Sequence, residues 1–151
     1  ELKKSQKNAN ERIKLNEDAS EQDYANLKQD QIADEAWYHI LFAEYEKAEK
    51  KLAEVYKVQS KKEFVGALDQ YNALYGMLYL MKGDPKSSLK YFNDRISVQN
   101  YTYYSYFKGL ALQATGSNDD AKVIFSEIAN YNFSGWGAGL VRTLAEKQVA
   151  S

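Results

Sequence analysis

The chain contains no cysteine among its 151 residues, which removes disulfides, thiolate metal sites and cysteine nucleophiles. Proline occurs once, at Pro85. Because proline is the strongest helix breaker, its scarcity leaves long stretches free to be helical. No apolar run reaches the ~18–20 residues that span a bilayer. Charge of one sign is not in excess either: 20 Lys/Arg against 21 Asp/Glu leave a formal net charge of −1, which argues against binding nucleic acid through the overall field. Motifs of catalysis are missing as well, with no HExxH, no Cys/His cluster, no EF-hand loop and no GxSxG elbow. The expectation is no enzyme, no catalytic residue, no metal and no cofactor. Hydrophobic residues at 44% and charged residues at 27% exclude disorder of the whole chain, and the length suits one domain with a continuous core.

What is present is tyrosine, 13 in all, and a pattern that returns. Gly76, Gly83, Ser88 and Phe92 recur 33 residues later as Gly109, Gly116, Ala121 and Phe125. Each copy reads as a helix, a glycine-containing turn and a second helix, and such hairpins stack because one alone cannot bury its apolar faces. In Gly83-Asp84-Pro85, glycine can adopt the left-handed conformation that closes a helix, Asp84 can cap the next, and proline is tolerated at the first helical position. In Gly116-Ser117-Asn118-Asp119-Asp120, Ser117 is expected to cap, with Asp120 placed for a capping box. Gly76, Gly109 and Ala121 are expected to let paired helices approach where Phe92 and Phe125 insert.

The flanks are less regular. Residues 1–68 hold 12 Lys/Arg and 14 Asp/Glu, against 8 and 7 in residues 69–151. Segment 1–28 is polar, with only Leu2, Ile13, Leu15, Tyr24 and Leu27 as sizeable apolar side chains, and reads as one amphipathic or frayed helix leading into a repeat domain at 29–151. From about residue 30, Ala33, Ala36, Trp37, Ile40 and Leu41 form a single helical stripe. A second helix begins at Glu44, with Ala48, Leu52, Val55 and Tyr56 on one side, and segment 57–66 loosens the register as a helix extension or short insertion. Segment 134–149 reads as a closing helix. Its glycines weaken it by up to ~1 kcal/mol each relative to alanine, so they are expected to allow close packing of Trp136, Leu140 and Leu144. A phosphate cradle there would lack its Lys-Ser/Thr ending and preceding strand. The lone His39 reads as a partnered structural histidine.

Tyr75-Gly76, Tyr79, Gly83-Asp84, Leu89 and Phe92 in one unit, with Lys108-Gly109, Leu112, Gly116, Asp119, Ala121 and Phe125 in the next, resemble the tetratricopeptide repeat family; Glu44-Tyr45-Glu46-Lys47-Ala48 is similar to the start of that family's second helix. The resemblance covers roughly residues 30–133. Departures are Ser88 where alanine is usual, Arg95 and Ile128 in place of a small residue, Asn100 and Phe133 in place of the terminal proline, and Ala36 and Ala43 where the first unit should carry glycine. That unit lies 40 residues before the second, as Ala48 to Ser88 shows.

The resemblance implies an all-α, right-handed α-solenoid of antiparallel hairpins, about three units plus a closing helix. It also implies a concave groove lined by the first helices: Trp37, Ile40 and Leu41, then Gln70, Ala73, Met77 and Met81, then Tyr103, Tyr106, Leu110 and Gln113. Trp37, Met77 and Leu110 stand where the family's carboxylate clamp needs polar groups, which disfavours that ligand. The expected function is a non-catalytic protein- or peptide-binding scaffold using this aromatic groove. Alternatives are self-association through the tyrosines or a terminal hairpin, and an accessory segment of a larger bacterial enzyme or envelope protein. The chain begins at Glu1 rather than Met; the expectation is a removed leader or upstream region, with soluble residence in the cytoplasm or cell envelope, no membrane insertion and no nucleic-acid partner.

Overall fold

Three turns of one design punctuate the chain. A residue with left-handed backbone follows the first helix of each hairpin: Ala43 at φ 55°, Gly83 at 81° and Gly116 at 89°. Its amide donates three residues back, to the carbonyls of Ile40, Leu80 and Gln113 at 3.1, 2.9 and 3.1 Å, and the next amide donates five back, to His39, Tyr79 and Leu112 at 2.9 Å each. The two bonds satisfy carbonyls that a helix end otherwise leaves open. Glycine takes this backbone without penalty. Ala43 does so at a cost of about 1–2 kcal/mol, and the first hairpin nevertheless closes in the same way.

The computed structural model describes residues 1–132 and 136–150, with only the backbone of Trp136. Among these residues the chain is all-helical, without a strand: α1 (Leu2–Lys14), α2 (Glu21–Leu41), α3 (Tyr45–Gln59), α4 (Asp69–Met81), α5 (Pro85–Tyr91), α6 (Val98–Ala114), α7 (Asn118–Asn130) and α8 (Trp136–Ala150). It divides into two compact units, Glu1–Tyr71 and Asn72–Ser151.

In the first unit the helices α2 and α3 pair over a core of Ala33, Ala36, Ile40, Ala48, Leu52 and Val55. The polar lead is not one helix. Ser20 and Asp23 form a reciprocal capping box, Ser20 N to Asp23 Oδ2 at 2.8 Å and Asp23 N to Ser20 Oγ at 3.2 Å, so α2 starts at Glu21 and a boundary at 28/29 falls inside it. α1 buries no residue. It lies along α2 through amides: Gln6 Nε2 donates to the Gln31 carbonyl at 3.3 Å, and Gln31 Nε2 to the Gln6 carbonyl at 3.4 Å and Asn10 Oδ1 at 3.0 Å. The irregular 57–66 segment has a polar anchor. α3 runs on to Gln59, whose buried amide donates to Gln70 Oε1 at 2.7 Å and accepts from the Tyr71 amide at 3.2 Å, satisfying a donor in the first turn of α4.

The second unit buries Ala73, Leu74, Met77, Leu78, Phe92, Ile96, Val98, Tyr106, Ala111, Ala121, Phe125, Ile128, Ala138, Val141 and Ala145. Each Phe or Leu in such a core contributes about 1.5–3 kcal/mol. The two aromatic wedges fit glycines. A Cβ added at Gly76 would lie 2.6 Å from the Phe92 ring, and one at Gly109 would lie 2.6 Å from the Phe125 ring, as the 33-residue repeat predicts. Forty residues before this pair the first hairpin has Ala36 and Leu52, both fully buried: a larger residue on one helix matched by a smaller one on the other. Ser88, in place of alanine, donates its hydroxyl to the Gly76 carbonyl at 2.7 Å, which makes a buried polar side chain acceptable.

Several expectations fail locally. Asp84 does cap α5, accepting from the Ser87 amide at 3.0 Å, but Ser117 makes no capping bond and no box forms with Asp120. The backbone explains it: Ser20, whose box forms, is extended at ψ 164°, whereas Ser117 sits at ψ 60°. Asp84, at ψ 76°, reaches its amide through a longer side chain. α5 stops after 7 residues. Lys108 Nζ then donates to the carbonyls of Asn93 at 3.0 Å and Ile96 at 3.4 Å, and burial lowers the pKa of its ammonium. α6 breaks at Tyr101 (φ −143°, ψ 58°), so its regular part starts at Thr102, 33 residues after the start of α4. α8 does pack on α6 and α7, but through Ala138, Val141 and Ala145. Leu140 and Leu144 are 54% and 43% exposed, overturning their expected packing. The start of this segment at 134, and Phe133, lie outside the described residues.

Candidate functional site

The expected groove residues separate into core, covered and open positions. In the first unit Ile40 is fully buried and belongs to the core; Trp37 is half-buried, as is Gln70, which accepts from Gln59. In the second unit Ala73 and Met77 are fully buried, and Tyr106 is 8% exposed with its ring 5.6 Å from that of Phe125. These four are corrections, because a side chain inside the core offers no surface to a partner. Tyr103 and Leu110 are half-buried and pack against a cluster that includes Val141 and Ala145 of α8. A Cβ at Gly137 would lie 3.2 Å from the Tyr103 Cβ. Gln113 is exposed, yet its amide donates to Gln148 Oε1 of α8 at 3.3 Å. The closing helix therefore takes up the α6 positions assigned to the groove, and of the second unit's set Met81 stays open.

An open surface exists in the first unit, where the repeat pattern is weaker. α1 and α2 flank a cleft of about 410 Å³ lined by Glu1, Leu2, Lys3, Gln6, Glu35, Tyr38 and His39. That volume is within the range of ligand-sized clefts. Beside it the last turn of α2 presents exposed Tyr38, Leu41 and Phe42, the last 62% exposed, with the Tyr38 and Phe42 rings 4.5 Å apart. Leu41 belongs to the expected groove set and is open; Tyr38 and Phe42 lie outside that set. Their signal was position, since Phe42 is an aromatic residue at the helix C-cap, beyond the buried stripe that ends at Ile40.

The cleft's polar wall is held by ion pairs. Lys51 Nζ lies 2.8 Å from Glu35 Oε2; this hydrogen bond is the main reason the Glu35 carboxyl is lowered and the Lys51 ammonium raised from their ordinary pKa values. His39 Nδ1 lies 2.5 Å from Glu44 Oε2, and Lys47 Nζ lies 2.7 Å from Glu44 Oε1. Lys47 first, and His39 after it, hold the Glu44 carboxyl below the usual carboxylate range. His39 is thus a partnered side chain. The arrangement offers an apolar lip, one imidazole edge and fixed charges, which suits recognition of a side chain or backbone segment.

Among the described residues no group of three or more His, Asp or Glu is placed to hold a metal ion, and no helix is long and apolar enough to cross a membrane. Comparison with protein-family models, curated proteins and solved structures finds no match to this chain.

Proposed function

We infer that this protein is a non-catalytic helical-repeat scaffold of tetratricopeptide type, a right-handed α-solenoid, and that it binds a protein or peptide. The observation that carries the reading is the shared hairpin design: left-handed residues at 43, 83 and 116 with the same two backbone bonds at each turn. Repeated hairpins are a general means of building extended binding surfaces. The partner docks on the first unit, at the α1–α2 cleft and its lip of Tyr38, Leu41 and Phe42. Aromatic side chains there supply large contact area with little rotamer entropy to lose.

Selection of peptides from a displayed random library on the immobilised chain tests this. The reading expects sequences that bind the wild type and lose roughly tenfold or more in affinity, about 1.4 kcal/mol, on a Tyr38→Ala/Phe42→Ala variant of unchanged helicity. Failure to select any binder, or binders indifferent to both substitutions, overturns it. Exposed Leu140 and Leu144, one turn apart on the last helix, favour self-association as a second reading, because solenoid ends expose apolar surface unless capped. A wild-type dimer by light scattering that a Leu140→Lys/Leu144→Lys variant loses would support it.

A further inference from the structure

One hairpin carries a tyrosine cluster that packing does not require. Tyr75 and Tyr79 stand one turn apart on α4, and Tyr91 ends α5. The Tyr91 ring stacks on Tyr75 (centroids 5.0 Å, interplanar angle 21°) and on Tyr79 (5.5 Å, 14°). All three side chains are half-buried. Burial first, then the nearness of Tyr79 and Tyr75, raises the Tyr91 phenol above its usual pKa. The other hairpins fill these positions differently. Forty residues earlier they are Glu35, His39 and Lys51, and 33 residues later Lys108, Leu112 and Ile124. The first hairpin bridges its two helices there by the Glu35–Lys51 ion pair; in the third, Leu112 and Ile124 pack against the hydrophobic core. Three chemistries thus occupy one place between paired helices, and one of them is open to covalent change.

We propose that Tyr79 and Tyr91 are an oxidative cross-linking site, at which a one-electron oxidant of the haem-peroxidase class joins them into a dityrosine staple between α4 and α5. Each phenol loses one electron to the oxidant and one proton to solvent, giving two phenoxyl radicals. The radicals couple through a new bond between ring carbons ortho to the hydroxyls, and both rings regain aromaticity by moving the ortho hydrogens to the phenolic oxygens. The chain loses two hydrogen atoms in all, and the oxidant accepts two electrons. Stacking favours this coupling because it holds the Tyr79 and Tyr91 rings nearly parallel, with centroids 5.5 Å apart, before either radical forms, the advantage that proximity gives any two-centre reaction.

The test is oxidation of the dilute full chain with a haem peroxidase and hydrogen peroxide, followed by intact mass, dityrosine fluorescence and peptide mapping. The expected result is a monomeric product lighter by two hydrogens, with a cross-linked peptide joining the Tyr79 and Tyr91 segments. A Tyr91→Phe variant keeps the ring but removes the phenol, and should lose that product by tenfold or more, while Tyr24→Phe leaves it unchanged. Cross-links confined to other tyrosines or to dimers, or an unchanged yield in Tyr91→Phe with wild-type helicity, would overturn the proposal.

Discussion

Replacing Gly76 with alanine should destabilise the fold even though alanine is the better helix former. The added Cβ would lie 2.6, 2.7 and 2.8 Å from three atoms of the Phe92 ring, and that ring is almost fully buried, so it cannot swing away. Overpacking costs about 1–3 kcal/mol, and three contacts this short against a buried ring place it in the upper half of that range, about 2–3 kcal/mol; helix propensity returns about 1 kcal/mol, leaving a net loss of about 1–2 kcal/mol. Phe92→Leu alone should cost about 1–2 kcal/mol through the space it vacates. The double variant recreates the pairing at Ala36 and Leu52, with the smaller leucine making room for the methyl group. Its loss should therefore fall short of the summed single losses by about 1 kcal/mol or more. Urea unfolding followed by circular dichroism measures all three variants, and each kcal/mol should move the thermal midpoint by about 2–4 °C. Additive losses, or a Gly76→Ala variant as stable as the wild type, would refute the equivalence of the hairpins.

Ala43→Gly removes a left-handed alanine and should stabilise by about 0.5–1 kcal/mol, whereas Gly83→Ala and Gly116→Ala, whose new Cβ would meet nothing within 4 Å, should each cost about 1 kcal/mol from backbone strain alone; urea midpoints give both signs. Ser105 is buried with no hydrogen-bond partner for its hydroxyl, and the residue four before it is Tyr101, where the helix is broken. Ser105→Ala should therefore raise stability by about 1 kcal/mol, measured in the same way. The Glu44 carboxyl is held below its ordinary value, so its share of stability is full above the unfolded-state value and lost as pH falls through the lowered folded-state value. Urea midpoints at a series of pH values below 6 should fall less steeply for Glu44→Gln than for the wild type.

Much of the hairpin design was legible because it depends on local chemistry. Gly83-Asp84-Pro85 specifies a turn, a cap and a helix start within three residues, and the Gly76–Phe92 pairing repeats at a fixed distance. The start of α2 was readable too, in Ser20 and Asp23, but the polar composition around them masked a helix that apolar periodicity alone could not reveal. Ser117 misled because a cap depends on backbone angle as well as residue type. The groove failed for a tertiary reason. Periodicity places Tyr103, Tyr106 and Leu110 on the first helix of a unit, but only packing shows that α8 and Phe125 occupy their surroundings. On α8 itself small residues face inward: Ala138, Val141 and Ala145 allow the close approach, and the larger Leu140 and Leu144 are left outside. Tyr38 and Phe42 carry no motif, so their exposure emerges only from the fold.

Nuclear Overhauser contacts and φ-sensitive couplings in solution test most directly the claim that all three hairpins share one design. The account predicts cross-relaxation from the Phe92 ring to the Gly76 Hα protons and from the Phe125 ring to those of Gly109, together with a positive φ at Ala43. Missing ring-to-glycine contacts, or a negative φ at Ala43, would contradict it.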